Sequence, residues 1–342
     1  MSQDQRGDVT ERTHRADGRE AGRAARCVLV TGVTGFLGRI AVAALAASGA
    51  HVRAAVRHIP DPTFGEAVDV VQCPDLREPF DWQPLLAGVD TLVHLAGTER
   101  RLRGNAPFYD LVNHQATARL AAAAALAGIR HFILVSSLSA QNGCAADHAL
   151  TERDPAAPAD ALGRSKLAAE EAVRASGVPF TILRLAPVYG PGMRGGLAFL
   201  LRAALSPLPL PVRDFTNRRS YIGIDNFISA LKFAVALPQA SNETYLVADP
   251  GIPPNMADLV RAIRHAEGRR ALLLPSQVQY AEVPLRFLKL GNLWERYCGN
   301  LRVDCSKLIA AGWQPVYDTR TGIAKLTENS GAALRRATPP AA

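Results

Sequence analysis

Along the first half of the chain, apolar residues gather in short β-branched runs separated by longer stretches with helical spacing. The runs at Cys27–Thr31, His51–Val56, Val68–Cys73, Thr91–Leu95, His131–Ser136 and Pro179–Leu183 predict strands. Between them, Arg39–Ser48, Tyr109–Ala127 and Gly163–Ser176 predict helices. Runs without polar alternation, such as H-F-I-L-V-S-S, suit strands buried on both faces. The rhythm predicts an α/β fold, a Rossmann-type doubly wound parallel sheet. After Gly190 the texture changes. Proline and glycine are frequent through Pro211, and helical patterns appear at Met256–Glu267 and Val283–Tyr297. These predict a smaller C-terminal α/β substrate lobe, with Tyr245–Ala248 placed to return a strand to the sheet.

The run V-L-V-T-G-V-T-G-F-L-G, Val28 to Gly38, joins the first strand to the first helix. Gly32, Gly35 and Gly38 allow the backbone to come close to a pyrophosphate, and the helix N-terminus that follows supplies N–H groups and partial positive charge for it. A tight strand-to-helix turn would use glycines too. Here strand, glycines, helix and second strand stand in the order a dinucleotide site requires. The division that follows is a disordered tail over 1–26, an NAD(P)-binding Rossmann domain over 27–190 with return segments near 220–250, a substrate-binding lobe over 191–329, and a second tail over 330–342.

Composition narrows the alternatives. The 342 residues are 48% apolar, enough for one large core or a core plus a lobe. No apolar run is long enough to span a bilayer, so stable membrane insertion is not expected. The first 26 residues alternate arginine with acids and glycine and have no apolar centre, which excludes a secretory signal. Five scattered cysteines without metal-type spacing fit thiols in a reducing cytoplasm, and no metal site is expected. The formal charge of +8 arises mainly outside the tail, at residues including Arg100, Arg101, Arg103, Arg194, Arg202, Arg213, Arg218 and Arg219. Basic runs are short and no aromatic platform interleaves them, which favours small polyanionic ligands over nucleic acid. The segment V-P-L-R-F-L-K-L-G-N-L-W-E-R-Y is basic and amphipathic. Packing onto the lobe is the expected role for its apolar face, with membrane-surface contact as the alternative.

Further motifs follow in order: D-L-R (Asp75–Arg77), H-L-A-G (His94–Gly97), V-N (Val112–Asn113), V-S-S (Val135–Ser137) and G-R-S-K-L-A-A-E (Gly163–Glu170). Then come L-R-L-A-P-V-Y-G-P-G (Leu183–Gly192), N-R-R-S-Y-I (Asn217–Ile222), and D-C-S-K with G-W-Q-P (Asp304–Pro315). Over residues 27 to 328 the chain resembles the extended short-chain dehydrogenase/reductases, the NAD-dependent epimerase/dehydratase family, especially nucleotide-sugar 4-epimerases and 4-keto-sugar reductases. The resemblance implies that Gly32, Thr34, Gly35, Phe36, Leu37 and Gly38 cradle the cofactor diphosphate. It further implies that Asp75 and Leu76 flank the adenine, and that Leu95, Ala96 and Gly97 border the cofactor. Asn113 would brace the active-site helices beside it. Ser137 corresponds to the serine that hydrogen-bonds the substrate oxygen, Lys166 to the lysine on the nicotinamide ribose, and Arg219 to the arginine on the nucleotide pyrophosphate. Taken alone, Ser137 could be a helix-cap serine and Lys166 a surface lysine. Similar proteins often dimerise through the two long helices, here about Tyr109–Ala127 and Gly163–Ser176.

One departure stands out. Four residues before Lys166, on the same helix face, the family carries its catalytic tyrosine; here the residue is Leu162. No tyrosine lies between Tyr109 and Tyr189 to take its place, and neither His148 nor Cys144 has the spacing. General acid–base help of the lost kind is typically worth ~10²–10⁴-fold. The resemblance therefore implies hydride transfer at sugar C4 with altered or reduced activity, or else a catalytically inactive NAD(P)-binding regulatory or assembly subunit. At the end of the second strand Arg57 stands where NAD enzymes place an acid, and Arg39 lies just past the last glycine. This favours NADP(H) over NAD(H), although both arginines could simply be solvated.

Overall fold

The computed structural model describes residues 26–59, 64–65, 67–98, 106–143, 145–193, 196–237, 241–275 and 299–336. The tail 1–25, residues 337–342, Arg100, Arg101, Arg103, Cys144, Arg194, Cys298 and the predicted helix Val283–Tyr297 lie outside the described residues. The strands are β1 (Cys27–Thr31), β2 (His51–Val56), β3 (Val68–Gln72), β4 (Thr91–His94), β5 (His131–Ser137), β6 (Ala149–Leu150), β7 (Phe180–Leu185), β8 (Val188–Tyr189), β9 (Ile222–Gly223), β10 (Glu243–Val247) and β11 (Arg302–Val303). Seven form one sheet in the order β10-β7-β5-β4-β1-β2-β3. Every pairing in it is parallel. The expected doubly wound architecture is therefore present, and β10, from the late part of the chain, forms its far edge. β6 with β11, and β8 with β9, make two small parallel pairs.

Both faces of the sheet are covered, as parallel strands without edge alternation require. On one face Val28, Val30, Val93, Ile133 and Leu183 pack with Ala41, Val42 and Leu45 of the Phe36–Ala46 helix and Phe227 and Leu231 of the Ile224–Ala236 helix. On the other, Leu29, Leu92, Phe132 and Ile182 meet Leu120, Ala121 and Ala124 of the Ala116–Leu126 helix and Val173 of the Ala161–Ala175 helix. Alternate residues of β1 thus enter opposite cores. A third cluster, with Met193, Leu201, Leu259, Val260, Ile263 and Ile323, lies under the later helices. The Met256–Ala266 helix opens with a reciprocal capping box between Asn255 and Asp258.

Several element boundaries differ from the sequence-based ones for local reasons. The first helix begins at Phe36, immediately after Gly35, and the long helix opens at Ala106 with a π-turn over Asp110–Gln115. β5 runs on to Ser137 and β7 spans Phe180–Leu185, because Ser136 and Ser137 pair with Arg184 and Leu185.

Two buried histidines couple this sheet to pH. His94, at the end of β4, is held by Thr31 Oγ1 at 2.7 Å and Thr117 Oγ1 at 2.9 Å; His131, at the start of β5, meets Thr181 Oγ1 at 2.8 Å. Burial drives the His94 imidazole down to about 3, with the Lys166 charge adding to it, and burial takes His131 down to about 4. Both are neutral in the fold yet protonate near 6.5 once unfolded. Their contribution is complete above pH 6.5 and is lost as pH falls toward their folded values, at roughly 1 kcal/mol per pH unit for each. Thermal unfolding from pH 7.5 to 5 is expected to show this decline, and the double variant His94→Gln/His131→Gln should flatten it.

Candidate active site

In the doubly wound sheet the order of strand addition reverses between β1 and β4, which opens a crevice at the carboxyl ends of those strands. A cavity of about 700 Å³ occupies it. Its floor is the glycine turn. Gly32 adopts φ +76°, and a Cβ there would stand 2.5 Å from Ala96 N and 2.6 Å from Leu95 C. A Cβ on Gly38 would overlap Gly32 O and lie 2.6 Å from Val33 Cα. These two glycines are required by the protein's own backbone, a reason different from the approach to a ligand. Gly35 is the one that fits the expected role, since a Cβ there would meet only Gly32 O, at 3.2 Å. No side chain caps the helix that starts after it, so its first-turn N–H groups remain for another acceptor. An uncapped helix end lining an open crevice fits a dinucleotide diphosphate.

The opposite wall comes from β5 and the Ala161–Ala175 helix. Ser137, Leu162 and Lys166 all line the cavity together with Arg219. Lys166 is buried, so the reading of it as a surface lysine does not hold. Its Nζ packs beside Gly97, where a Cβ would come within 3.0 Å of both Lys166 Nζ and Asn113 Oδ1. Ser137 does act as a helix cap: its Oγ accepts from Ser139 N at 3.2 Å, and Ser139 Oγ donates to it at 3.0 Å. The same serine also lines the cavity, so capping and exposure to a ligand coexist. Leu162 is buried in this wall, four residues before Lys166, with a side chain that has no proton to move.

A buried carboxylate fixes this wall. Glu170 accepts from Arg184 Nε at 2.9 Å and Nη2 at 2.6 Å, from Ser136 Oγ at 2.6 Å, and from Arg174 Nη2 at 3.0 Å. Arg184 Nη1 also donates to Gln141 Oε1, and Gln141 Nε2 donates to Asp154 O at 2.7 Å. The helix in turn presses on the 138–141 turn, since a Cβ on Gly163 would overlap Ser139 O. Ser137 and Ser139 therefore stand against Leu162 and Lys166 with little freedom.

Other predicted residues fall around the cavity rather than on it. Phe36, Leu37, Leu95 and Gly97 line it, whereas Thr34, Ala96, Asn113, Arg57, Asp75 and Leu76 are not part of its lining. Asn113 spends its amide on Thr98 N (2.7 Å), Thr98 O (3.2 Å) and Ser165 Oγ (3.0 Å), tying the turn after β4 to the lysine helix from within the π-turn. Asp75 is gripped by Arg77, at 3.0 Å from Nε and 2.7 Å from Nη2, with Arg57 Nη1 4.0 Å away. The Arg77 hydrogen bonds hold its carboxyl down at about 2. Arg39 Nε turns back to Thr34 O at 3.3 Å. Arg219 Nη1 donates to Gly299 O at 2.8 Å, which holds the buried guanidinium in the cavity wall.

Tyr189, His148 and Tyr109 do not line the cavity. Tyr189 is buried and donates to Asp249 Oδ2 at 2.7 Å, and burial together with that carboxylate drives its phenol upward. His148 is exposed between Asp147 (2.7 Å) and Asp154 (3.0 Å). Tyr109 is buried and outside the cavity lining. What the sequence reading missed is a polar group by Leu162: Ser139, Asn142 and Asp160 all line the cavity. Asp160 was detectable as the cap of its helix, accepting from Gly163 N at 2.8 Å. Among the described residues, no three His, Cys, Asp or Glu side chains converge as a metal site would need.

With this geometry in place, the comparisons with known proteins agree. The chain belongs to the NAD dependent epimerase/dehydratase family, whose model matches residues 28–248. It is 28% identical over 282 residues to a UDP-glucose 4-epimerase of Vibrio cholerae, spanning 79% of this chain and 85% of that protein. It is 37% identical over 207 residues to a ceramide reductase of Caulobacter vibrioides, spanning 60% of this chain and 59% of that one. The fold is shared with a UDP-glucuronic acid 4-epimerase from Bacillus cereus solved in complex with NAD, with TM-score 0.71 at 21% identity over 92% of this chain and 98% of the other.

The different roles of the glycines are separable. Gly38→Ala is expected to lower the melting temperature sharply, because the backbone atoms it meets cannot retreat. Gly35→Ala should leave stability within about 1 kcal/mol, the scale of a helix-cap change. Thermal unfolding of the two variants side by side checks this.

Proposed function

We propose that the protein is an NAD(P)-dependent epimerase or 4-keto-reductase acting at C4 of a nucleotide-diphosphate sugar, with its proton transfer altered by Leu162. The observation carrying this reading is that one cavity joins the uncapped glycine turn, Ser137, Lys166 and Arg219. The relationship to a UDP-glucose 4-epimerase supports the substrate class. A bound nicotinamide would supply the hydride acceptor or donor. Arg219 offers a planar fork to the sugar's diphosphate. Ser137 Oγ holds the sugar oxygen, and Ser139 Oγ, 3.0 Å from it, is the next hydroxyl along which that oxygen's proton can pass. Lys166 contributes a fixed positive charge beside the turn after β4. Leu162 keeps water from the reacting carbon but moves no proton.

NADP(H) is the preferred cofactor in this reading. Arg57 is largely exposed at the end of β2, and Asp75, with an oxygen 4.0 Å from its Nη1, is already paired with Arg77. The cluster keeps a surplus positive charge for a 2′-phosphate. Among the described residues Cys27, Cys73 and Cys305 are free and buried, which suits a reducing cytoplasm, and a homodimer through the helices at 106–126 and 161–175 belongs to the same proposal.

A second reading is favoured by one specific observation, the leucine itself: a catalytically inactive NAD(P)-binding regulatory or assembly subunit. Turnover of UDP- and dTDP-sugars, including 4-keto forms, is expected to be slow in the wild type. Leu162→Tyr should raise it by ~10²–10⁴-fold. If NADPH binds yet neither form turns over any sugar, the inactive reading stands. If neither NADPH nor NADH binds at millimolar concentration in calorimetry, both readings fall. Separately, Arg57→Ala is expected to weaken NADPH binding about tenfold while leaving NADH binding unchanged, from the loss of a charge-assisted pair.

A further inference from the structure

Met193 and Arg219, both in the cavity wall, flank the Gly196–Leu205 helix along the chain. That helix has 10 residues, about 15 Å at the usual rise per residue. At its far end Leu210 pairs with Leu273: Leu210 N donates to Leu272 O at 3.1 Å, and Leu274 N to Leu210 O at 2.9 Å. Leu210 and Leu273 pack against the third core cluster. Their neighbours Leu272 and Leu274 take the opposite side, as extended backbone dictates. They are 54% and 50% exposed, and Leu208 beside them is 65% exposed.

This apolar ridge is held rigidly in place. Arg264 is buried, and it spends its guanidinium on the ridge's own backbone. Its Nε donates to Ala204 O at 3.1 Å, Nη1 to Leu272 O at 3.1 Å, and Nη2 to Leu208 O at 2.5 Å. Arg269 Nη1 adds a bond to Leu205 O at 2.7 Å. Scattered exposed leucines need no explanation, but three fixed on adjacent extended segments by a buried cation form a patch. Its surroundings are basic. Arg202, Arg213, Arg269 and Arg270 are all exposed on the same stretches. The acids there are Asp214, paired with Arg213 at 3.3 Å, and Glu267.

We propose that this ridge docks the protein on the surface of a bilayer carrying anionic headgroups. The leucines enter the acyl boundary and the arginines meet the headgroups, the combination by which interfacial segments bind without spanning. Charge complementarity selects this occupant over a protein partner. Leucine is under-represented among the residues that dominate protein–protein binding energy, and the basic rim calls for an extended anionic surface. Docking is independent of turnover, so its test does not depend on the proposed activity.

The experiment is flotation of the full chain with vesicles of phosphatidylcholine alone or mixed with phosphatidylglycerol. Binding to the anionic vesicles is expected at low salt, with at least tenfold less binding to neutral vesicles and a marked loss in high salt. Leu208→Glu/Leu272→Glu/Leu274→Glu should lose at least tenfold in binding, and Arg213→Glu/Arg270→Glu should lose the preference for anionic lipid. Melting temperature and NADPH binding at wild-type levels would show that both variants remain folded. Wild type that fails to float with either vesicle, or a triple variant that floats undiminished, would overturn the proposal. Concentration-dependent self-association abolished by the leucine substitutions, without vesicle binding, would overturn it in favour of a second copy of the chain.

Discussion

At the end of β1 the backbone passes so close to the turn after β4 that no side chain fits between them. Gly32 takes the left-handed conformation there, and its Cα side faces Leu95 and Ala96 across a gap that a single Cβ would fill. That approach brings together the two strands flanking the reversal of the sheet. It aims the first helix so that its unpaired N–H groups end over the crevice. The cavity, the placement of Lys166 beside Gly97 and the bracing by Asn113 all follow from the crevice staying open at this point.

The other wall is secured by a different kind of interaction. Glu170 is buried and fully engaged, so removing either partner of its pair with Arg184 would leave an uncompensated charge in the interior. The same ion pair holds both ends of the segment that carries Ser137 and Ser139, Glu170 accepting from Ser136 Oγ and Arg184 donating to Gln141 Oε1. The segment carrying the two serines and the helix carrying Leu162 and Lys166 are therefore held together as one wall of the cavity.

Charge around the site is arranged by neighbours rather than by net composition. Asp75 would oppose a second phosphate, but the Arg77 fork satisfies both of its oxygens and leaves Arg57 as the surplus. Arg219 and Arg264 are both buried and both bond to backbone carbonyls, yet one faces the cavity and the other builds the outer ridge. Counting arginines in the sequence could not have separated these roles.

The alternation of apolar runs with helical stretches was enough to predict the doubly wound parallel sheet, because strands buried on both faces must be continuously apolar and crossovers must be amphipathic. That the glycine turn opens a helix, and that Leu162 and Lys166 share one helix face, were legible too, since each depends on spacing along a single element. What the sequence could not reveal is which atoms meet across elements. That Gly32 and Gly38 serve the protein's own backbone, that Ser137 caps a turn while facing the cavity, and that Ser139 and Asp160 stand near Leu162 are consequences of two segments pressed together at Gly163. Leu208, Leu210, Leu272, Leu273 and Leu274 cannot be told apart by hydropathy alone. Only the pairing of Leu210 with Leu273 decided that the core would take those two and leave the others facing outward, because in extended backbone alternate side chains must point to opposite sides.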